Sequence, residues 1–377
     1  MDIELSKEEQ ILLTSAREFL RKECPKTLIR EMRDDPMGYP PQLWKKMAEL
    51  GWMGVLLPEE YGGTEGDFID LCLLMEAMGE ACLPGPFFST VVLGGLAIQR
   101  FGSDMQRSQL LPRVADGKLV MTLATTEPGL WYSHSGMTTR AVKTASGYEI
   151  NGKKVFVENA AAADIIICAA RIEKDGNLDA DLSLFLVDSA QEGVTCRPLA
   201  TLGYDKQYEV AFSGVAVPQD MMLGEAGAAE TLLDQLNDLA AVAKCAEMVG
   251  SCQSAFDMAV AYAKEREQFG KPIGSFQAIQ HHCANMAVDM DSSRYITYQA
   301  AWRIARGMPA DKEIAMAKAW TSSAAGRITR YGHQIQGAIG FCEEHDMHLY
   351  YRRAKTAAVA FGDSEYHYER VARQLGL

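Results

Sequence analysis

The spacing of apolar residues changes twice along the 377-residue chain, and these changes constrain its fold more than any other feature. Up to about residue 118, apolar residues recur every three or four positions, as at Ala16 and Leu20, which is typical of helices. They alternate over 119–224, which indicates strands, and the helical spacing returns over 225–377. This order predicts an α+β fold with an N-terminal helical domain (1–118), a middle antiparallel β domain and a C-terminal four-helix bundle.

Capping and stop residues locate the predicted helices of the first domain. Ser6 and Glu9 form a capping-box pattern before the first helix, and Pro25 marks its end. Further helices are predicted over Gln42–Leu50, Phe68–Cys82, Phe88–Phe101 and Met105–Ala115. Gly51 follows the first of these segments as a C-cap.

Segments with alternating apolar residues predict the strands of the middle domain. They are Val120–Thr126, Arg140–Lys143, Tyr148–Asn151, Lys154–Glu158, Asp164–Arg171, Leu182–Val187 and Tyr208–Phe212. Ser146-Gly147 and Asn151-Gly152 separate consecutive strands, and both dipeptides favour tight hairpin turns.

The composition limits the partners and sites that the chain can have. A formal net charge of -13 argues against nucleic acid or an anionic membrane as a partner, because both need a basic protein surface. The nine cysteines stand singly, without a CxxC pair, so we expect reduced thiols in the cytoplasm and no metal site. The polar N-terminus differs from a signal peptide, and no apolar run of about 20 residues predicts a membrane span.

Five short segments, each at a predicted element, resemble the motifs of one known family. They are GWMGVLLPEEYGG (Gly51–Gly63), TTEPG (Thr125–Gly129), NGKKVFVENA (Asn151–Ala160), YAKEREQFGKPIGSFQAIQ (Tyr262–Gln280), and QIQGAIGF (Gln334–Phe341) followed by YRRAK (Tyr351–Lys355). Together they resemble the acyl-CoA dehydrogenase family over nearly the whole chain. The resemblance implies a tetrameric helix–β–helix fold that dehydrogenates a CoA thioester, with a carboxylate removing the α-proton and FAD taking the β-hydride.

The resemblance places four residues of the middle domain at the flavin. Thr125 and Thr126 end a strand where a backbone N–H and a hydroxyl can reach the flavin edge, and Phe156 takes the place of a stacking tryptophan. Glu158 replaces a threonine that bonds the hydride-accepting nitrogen, where a carboxylate would repel a reduced, anionic flavin. Alternatively, Glu158 faces solvent.

A second group of matched positions lies in the C-terminal domain and implies a grip on the adenine side of FAD. Arg266 matches an arginine that reaches the pyrophosphate of a neighbouring subunit's FAD, a role that suits a guanidinium fork. Phe269, Gln334 and Gly337 match the other residues of this half-site. Ala338 replaces a second glycine there.

The sequence departs from the family beyond the TTEPG motif and at the catalytic base. Trp131, Tyr132 and Ser133 replace small residues near phosphate and substrate, which predicts altered ligand binding. The two positions at which the family places its catalytic glutamate are Phe361 and Ala240 here.

Asp363 is the best substitute for the missing base, although its backbone position is shifted by two residues. A positioned general base contributes roughly a hundred- to ten-thousand-fold in rate, so its loss is decisive. Without a substitute base, this chain's own site would not remove the α-proton of the thioester.

Three functions fit the retained and lost residues. In the first, the chain is the base-lacking partner in a heterotetramer with a homologous dehydrogenase subunit, as in the branch that acts on bulky cyclic or steroid side-chain acyl-CoAs. The segments Gly79–Gly94 and Phe361–Ala372 resemble that branch. In the second, it is a self-sufficient enzyme with Asp363 or Glu158 as the base, and in the third a non-catalytic acyl-CoA-binding protein. An electron-transferring flavoprotein is the electron acceptor that the family implies.

Overall fold

The computed structural model describes residues 5–173 and 182–377 and contains the three predicted parts in the predicted order. The N-terminal part is helical, the middle part is a sheet and the C-terminal part is again helical. The N-terminal helices are α1 (Lys7–Glu23), α2 (Lys26–Asp34), α3 (Pro41–Glu49), α4 (Phe68–Ala81), α5 (Leu96–Phe101) and α6 (Asp104–Ala115). The α+β class and its domain order are therefore confirmed.

Local signals explain where the N-terminal helices begin and end. The Ser6 hydroxyl accepts from the Glu9 N–H at 3.1 Å, and the Glu9 carboxylate accepts from the Ser6 N–H at 2.6 Å, which confirms the capping box. Gly51 follows α3 with a φ of 77°, as a glycine C-cap does. Helix α2 was not predicted, because it is short and polar and buries only Ile29.

The helix predicted over Phe88–Phe101 has two parts with different winding. Phe88–Gly95 is π-helical, and α5 continues from it. π-Helical turns are rare and occur frequently at functional sites. Two residues of this segment, Phe88 and Leu93, line the cavities described below.

A mixed sheet forms the middle part. Its strands are β1 (Met121–Ala124), β2 (Arg140–Lys143), β3 (Gly147–Glu158), β4 (Ile165–Ile172), β5 (Leu182–Asp188), β6 (Val194–Leu199), β7 (Gln207–Pro218) and β8 (Met222–Leu223). The order is β6-β7-β3-β2-β4-β5-β8, and β1 pairs with β4. The prediction of a purely antiparallel domain is corrected, because β1 and β2 both pair with β4 in parallel. Alternation predicts a strand but not the direction of its neighbour.

One strand, β3, replaces the two strands predicted on either side of Asn151-Gly152. It pairs with β7 along its length with a register shift at this dipeptide, which is therefore a bulge, and the hairpin turn predicted there is wrong. A Cβ on Gly152 would lie 2.4 Å from the Thr139 hydroxyl oxygen, so glycine is required by close approach. The turn at Ser146-Gly147 is confirmed and joins β2 to β3.

The C-terminal part is a helical bundle built around one central helix. It contains α7 (Ala229–Glu265), α8 (Gln277–Ala305), α9 (Asp311–Gln336), α10 (Met347–Val359) and α11 (Ser364–Gln374), and a small hairpin of β9 (Glu267–Gln268) and β10 (Lys271–Pro272). Helix α9 packs against the other four, so the predicted four-helix bundle carries a fifth, short helix. Within the described ranges, none of the helices has the length and apolar character that a membrane crossing requires.

The N-terminal helices and the bundle meet where α4 packs against α7. A Cβ on Gly79 of α4 would lie 2.0 Å from the Glu247 carbonyl oxygen, and one on Gly250 of α7 would lie 1.8 Å from the Glu76 carbonyl oxygen. The two backbones are so close that only glycine fits at either position. This contact fixes the part of α7 that carries Glu247 beside α4.

Candidate active site

Two adjoining cavities lie among the middle domain and the helices around it. The larger, about 730 Å³, is lined by the end of β1, by β3, by α7 and by the turn between α10 and α11, and we name it the main cavity. The smaller, about 420 Å³, is lined by α2, α4, α7 and the loop before β7, and we name it the second cavity. Both have the size of small-molecule sites.

Thr125 and Thr126 line the main cavity at the end of β1, as their predicted role requires. The Thr126 carbonyl accepts from the Val155 N–H at 2.9 Å, which ties this turn to β3. Both threonines are half-buried. Among the described residues neither hydroxyl has a hydrogen-bond partner, so both are available to a ligand in the cavity.

A buried ion pair supports this turn from behind. The Glu127 carboxylate accepts from Lys154 Nζ at 2.8 Å, from the Thr138 N–H and hydroxyl at 2.7 Å each, and from the Thr139 N–H at 2.9 Å. Burial opposes ionisation of Glu127, but the charge and hydrogen bond of Lys154, with the threonine bonds, lower its pKa to about 2. A saturated carboxylate of this kind has a structural role.

Phe156 projects into the main cavity from an irregularity in β3. The register between β3 and β7 shifts after Lys154, and Phe156 has a φ of 57°. Its ring is 55% exposed although it belongs to a strand. A bulky residue with positive φ stores strain, and such strain is concentrated at functional sites. The geometry therefore suits the predicted stacking role.

Glu158 lies at the boundary of the two cavities and lines both of them. Its side chain thus faces internal space rather than bulk solvent, contrary to the alternative considered from sequence. Burial raises the pKa of Glu158, Lys244 opposes this change, and Asp205 and Glu247 raise it further. Among the described residues its carboxylate has no hydrogen-bond partner.

The turn between α10 and α11 carries Phe361, the first of the two base positions. Its ring lines the main cavity and lies 5.5 Å from that of Phe88, centroid to centroid. Lys318 Nζ, which is fully buried, donates to the Ala358 and Gly362 carbonyls at 3.0 and 2.8 Å and so holds both ends of the turn. His367 Nε2 donates to the Phe361 carbonyl at 2.8 Å. The turn is well supported although Phe361, at the predicted base position, is not an acid.

The remaining base candidates do not reach the main cavity. Ala240 is fully buried inside α7 and lines neither cavity. Asp363 is the N-cap of α11, where its carboxylate accepts from the Tyr366 N–H at 2.9 Å. A carboxylate that caps a helix is already engaged, which does not support Asp363 as the substitute base.

The aromatic residues that depart from the family pattern lie at the edge of the main cavity. The Tyr132 hydroxyl donates to the Val359 carbonyl at 2.9 Å, and its ring lies 5.3 Å from that of Tyr366. Trp131 also lines the cavity but is 72% exposed. Tyr132 therefore bridges the TTEPG loop and the α10–α11 turn, which narrows this side of the cavity.

Several charged residues of the two cavities were not singled out as site residues from sequence. Asp238 and Arg370 form an ion pair of 2.6 Å in the main cavity. Lys244 and Glu247 form another of 2.6 Å in the second cavity. Lys244 and Glu247, three positions apart in the otherwise apolar segment LAAVAKCAEM, were the available signal, because a lysine in a buried helix needs a partner.

The predicted adenine-side residues lie apart from these cavities. Arg266, Phe269, Gln334 and Gly337 line none of the described cavities, and all four are exposed. Phe269 is 92% exposed with a φ of 56°. One chain therefore does not bring the two halves of the predicted FAD site together, as expected if these residues serve a neighbouring subunit.

Comparison with known proteins identifies the family. The models of the acyl-CoA dehydrogenase N-terminal, middle and C-terminal domains match residues 6–118, 122–215 and 229–376. The chain belongs to the acyl-CoA dehydrogenase family, whose members are oxidoreductases that act on CH–CH donors and use FAD.

Relatives match over the full length of the chain. A probable acyl-CoA dehydrogenase of Bacillus subtilis, YngJ, is 34% identical over 384 residues, with 100% of each chain covered. The butyryl-CoA dehydrogenase of Megasphaera elsdenii has a TM-score of 0.93 at 29% identity, with 100% of each chain covered. A chain of the ChsE4-ChsE5 complex of Mycobacterium tuberculosis has a TM-score of 0.90 at 26% identity, covering 100% of this chain and 99% of that one.

Proposed function

We propose that this chain is the base-lacking subunit of a heteromeric, FAD-dependent acyl-CoA dehydrogenase. The observation that carries the proposal is the Phe361 ring in the wall of the main cavity, in a turn that Lys318 and His367 hold in place. The family resemblance gives this position to the catalytic carboxylate. A positioned base contributes roughly a hundred- to ten-thousand-fold in rate. The main cavity alone is therefore not expected to remove the α-proton of a thioester.

The residues of this chain would divide FAD binding between two subunits. Thr125 and Thr126 would hold the flavin edge, and Phe156 would stack on the ring. Arg266 and the three residues grouped with it would grip the adenine end of FAD in the partner subunit, and a guanidinium fork suits its pyrophosphate. FAD, when bound, accepts the hydride from the β-carbon of the substrate.

The partner and substrate class are proposed from the branch resemblance. The full-length similarity to a chain of a complex of two named proteins supports a heterotetramer with a homologous dehydrogenase subunit. The bulky cyclic or steroid side-chain acyl-CoAs of that branch are the proposed substrates. An electron-transferring flavoprotein is the proposed electron acceptor, and the nine free cysteines support the cytoplasm as the compartment.

Glu158 favours a second candidate function, a self-sufficient enzyme with a relocated base. Its carboxylate lines the main cavity, has no hydrogen-bond partner among the described residues, and has a raised pKa. A general base works best when its pKa approaches the working pH. The first function is preferred because the turn that carries Phe361 is held in place but has phenylalanine where the family resemblance predicts the base.

Flavin counting and flavin reduction distinguish the two functions. The chain is purified alone and co-expressed with a homologous dehydrogenase subunit, and each preparation is mixed anaerobically with straight-chain and cyclic acyl-CoA thioesters. The first function predicts that the chain purified alone holds little or no flavin, and that Glu158→Gln in this chain leaves the bleaching of the complex unchanged. The second predicts one flavin per chain in the chain alone and bleaching that Glu158→Gln slows about a hundredfold. Rapid bleaching by the chain alone that survives Glu158→Gln would contradict both.

A further inference from the structure

The second cavity continues the main cavity rather than standing apart from it. Five residues line both spaces: Glu158, Asp205, Gln207, Thr356 and Ala360. Phe88, in the wall of the second cavity, packs against Phe361 in the wall of the main one. A ligand whose reacting end lies in the main cavity therefore meets the second cavity with its far end.

One side of the second cavity is apolar. Met75 and Met78 of α4 line it, together with Phe87 and Phe88 at the start of the π-helical segment. Methionine and aromatic side chains provide an adaptable surface for hydrocarbon. This side alone would suit an ordinary acyl chain.

An ion pair borders this apolar surface in the lining of the second cavity. Lys244 Nζ is 2.6 Å from a Glu247 carboxylate oxygen and 3.7 Å from the centre of the Phe88 ring. An Arg353 nitrogen lies 3.7 Å from the other Glu247 oxygen and another donates to the Leu83 carbonyl at 3.0 Å. Charged groups lose their solvation when hydrocarbon covers them, so this wall disfavours a plain alkyl end.

The charges in this wall determine which polar acyl ends the second cavity favours. The carboxylates of Glu158, Asp205 and Glu247 act on Lys244, and the whole lining of the second cavity holds six carboxylates against five lysine and arginine side chains. Burial would lower the pKa of Lys244, yet the carboxylates of Glu247 and Glu158 raise it. The wall therefore favours hydrogen-bond donors and repels an additional anion.

We infer that the second cavity receives the far end of the acyl group and selects acyl-CoA thioesters that carry a hydroxyl or an amine there, over those that end in hydrocarbon or in a carboxylate. This inference rests on the proposed acyl-CoA site. Lys244 and Glu247 are the specificity-determining residues, with Glu158 and Arg353 beside them. The selected feature is a hydrogen-bond donor, which a neutral hydroxyl and a protonated amine share.

Binding of matched thioesters to the purified protein, alone and in its flavin-loaded complex, tests this selection. The probes are hexanoyl-CoA, 6-hydroxyhexanoyl-CoA, 6-aminohexanoyl-CoA and adipoyl-CoA, with the same four ends on eight-carbon chains, each titrated by calorimetry. We expect the hydroxyl or amine end to bind about tenfold more tightly than the alkyl end, as one charge-assisted hydrogen bond gives. The carboxylate end should bind most weakly.

A double variant provides the sharper test. Lys244→Met/Glu247→Met removes both charges of the closer pair together, a replacement that buried ion pairs tolerate, and Arg353 keeps its hydrogen bond to the Leu83 carbonyl. It should reverse the order, so that the alkyl end binds more tightly than in the unchanged protein and the hydroxyl and amine ends more weakly. Lys153→Met/Glu209→Met is the matched control, because this Lys–Glu pair of 3.3 Å lies on the sheet and lines neither cavity.

Three results would overturn the inference. Equal affinities for all four ends at both chain lengths would show that the second cavity does not select among them. Tightest binding of the carboxylate end would show that it favours an anion. An unchanged order of affinities in Lys244→Met/Glu247→Met would show that these two residues do not determine the specificity. Failure to bind any thioester would overturn the proposed acyl-CoA site as well, whereas turnover by the chain alone would contradict only the proposed base-lacking role.

Discussion

Two turns line the main cavity, and each is supported by a fully buried lysine, but the two lysines have different partners. Lys154 supports the Thr125–Gly129 turn through the carboxylate of Glu127. Lys318 supports the turn between α10 and α11 through two carbonyls and the Ser322 hydroxyl, which are all neutral. The first turn keeps the hydroxyls expected at a flavin, whereas the second keeps its support but carries Phe361 where the family resemblance predicts an acid. In this fold, the residues that hold a turn in place can therefore be kept while the residue expected to carry out the chemistry is changed.

Restoring the acid at the second turn should produce the largest effect. Phe361→Glu places a carboxylate at the family position in a turn that Lys318 and His367 already hold. In the flavin-loaded complex we expect flavin reduction by acyl-CoA to increase roughly a hundred- to ten-thousand-fold at this chain's site, the contribution of a positioned base. Anaerobic stopped-flow absorbance measures the rate.

Phe361→Gln is the control for this experiment, because it has the same size and polarity without a basic oxygen pair. A gain with glutamate and none with glutamine would sharpen the contrast between the turns. Equal rates in both variants would show that the turn has lost more than its acid.

Breaking the charged partnership at the first turn should have the next largest effect. Lys154→Met leaves the Glu127 carboxylate buried without its cation, and such a loss costs about 3–5 kcal/mol of unfolding free energy. Urea unfolding measures the change. Lys153→Met is the neighbouring control, since Lys153 is exposed and its surface ion pair with Glu209 is worth less than about 1 kcal/mol. Similar losses in the two variants would contradict the supporting role of Lys154.

The neutral partners of Lys318 should make the second turn respond to pH. Burial lowers the pKa of Lys318 from 10.5 to about 8. As pH rises above about 8, the folded protein releases this proton while the unfolded chain keeps it up to about 10.5, so the stability contributed by Lys318 increases across that window. Lys318→Met should cost about 1–3 kcal/mol at neutral pH through lost hydrogen bonds, and the difference from the unchanged protein should grow at alkaline pH.

Unfolding in urea at several pH values between 7 and 10.5 tests the Lys318 prediction. Lys312 lies on the same helix at an exposed position, so the stability difference caused by Lys312→Met should not change with pH. If the difference in unfolding free energy between the unchanged protein and Lys318→Met decreased with increasing pH, the lowered pKa of Lys318 would be contradicted.

The smallest effect is expected at the contact that joins the two turns. Tyr132→Phe keeps the ring against Tyr366 but removes the hydrogen bond to the Val359 carbonyl. A neutral hydrogen bond contributes about 1 kcal/mol, so the thermal midpoint should fall only slightly. Tyr368→Phe, on an exposed ring of α11, is the control and should leave the midpoint unchanged. A larger decrease of the thermal midpoint in Tyr368→Phe than in Tyr132→Phe would contradict the bridging role of Tyr132.

The sequence predicted the features that depend on nearby residues. The helix–β–helix order follows from spacing, and the capping box at Ser6 and the glycine after α3 follow from local chemistry. Thr125, Thr126 and Phe156 line one cavity, a grouping that the family resemblance implied and the alternation alone did not.

Features that depend on distant residues could not be predicted in this way. The parallel pairing of β2 with β4 is invisible to alternation, and Asn151-Gly152 is read equally well as a turn or a bulge until β7 is placed beside it. The support of the Phe361 turn by Lys318 spans 40 or more positions of the chain. The same holds for the capping role of Asp363, which no count of residues from the family motif could reveal.

The glycine contact between α4 and α7 restricts how ligands can enter. With each backbone seated on the other at Gly79 and Gly250, these helices can separate only by giving up their whole interface, so they form an immobile floor. We therefore expect any opening of the two cavities to leave the contact between α4 and α7 unchanged. The close approach of the two backbones thus makes α4 and α7 a fixed frame for the residues of the second cavity that they carry.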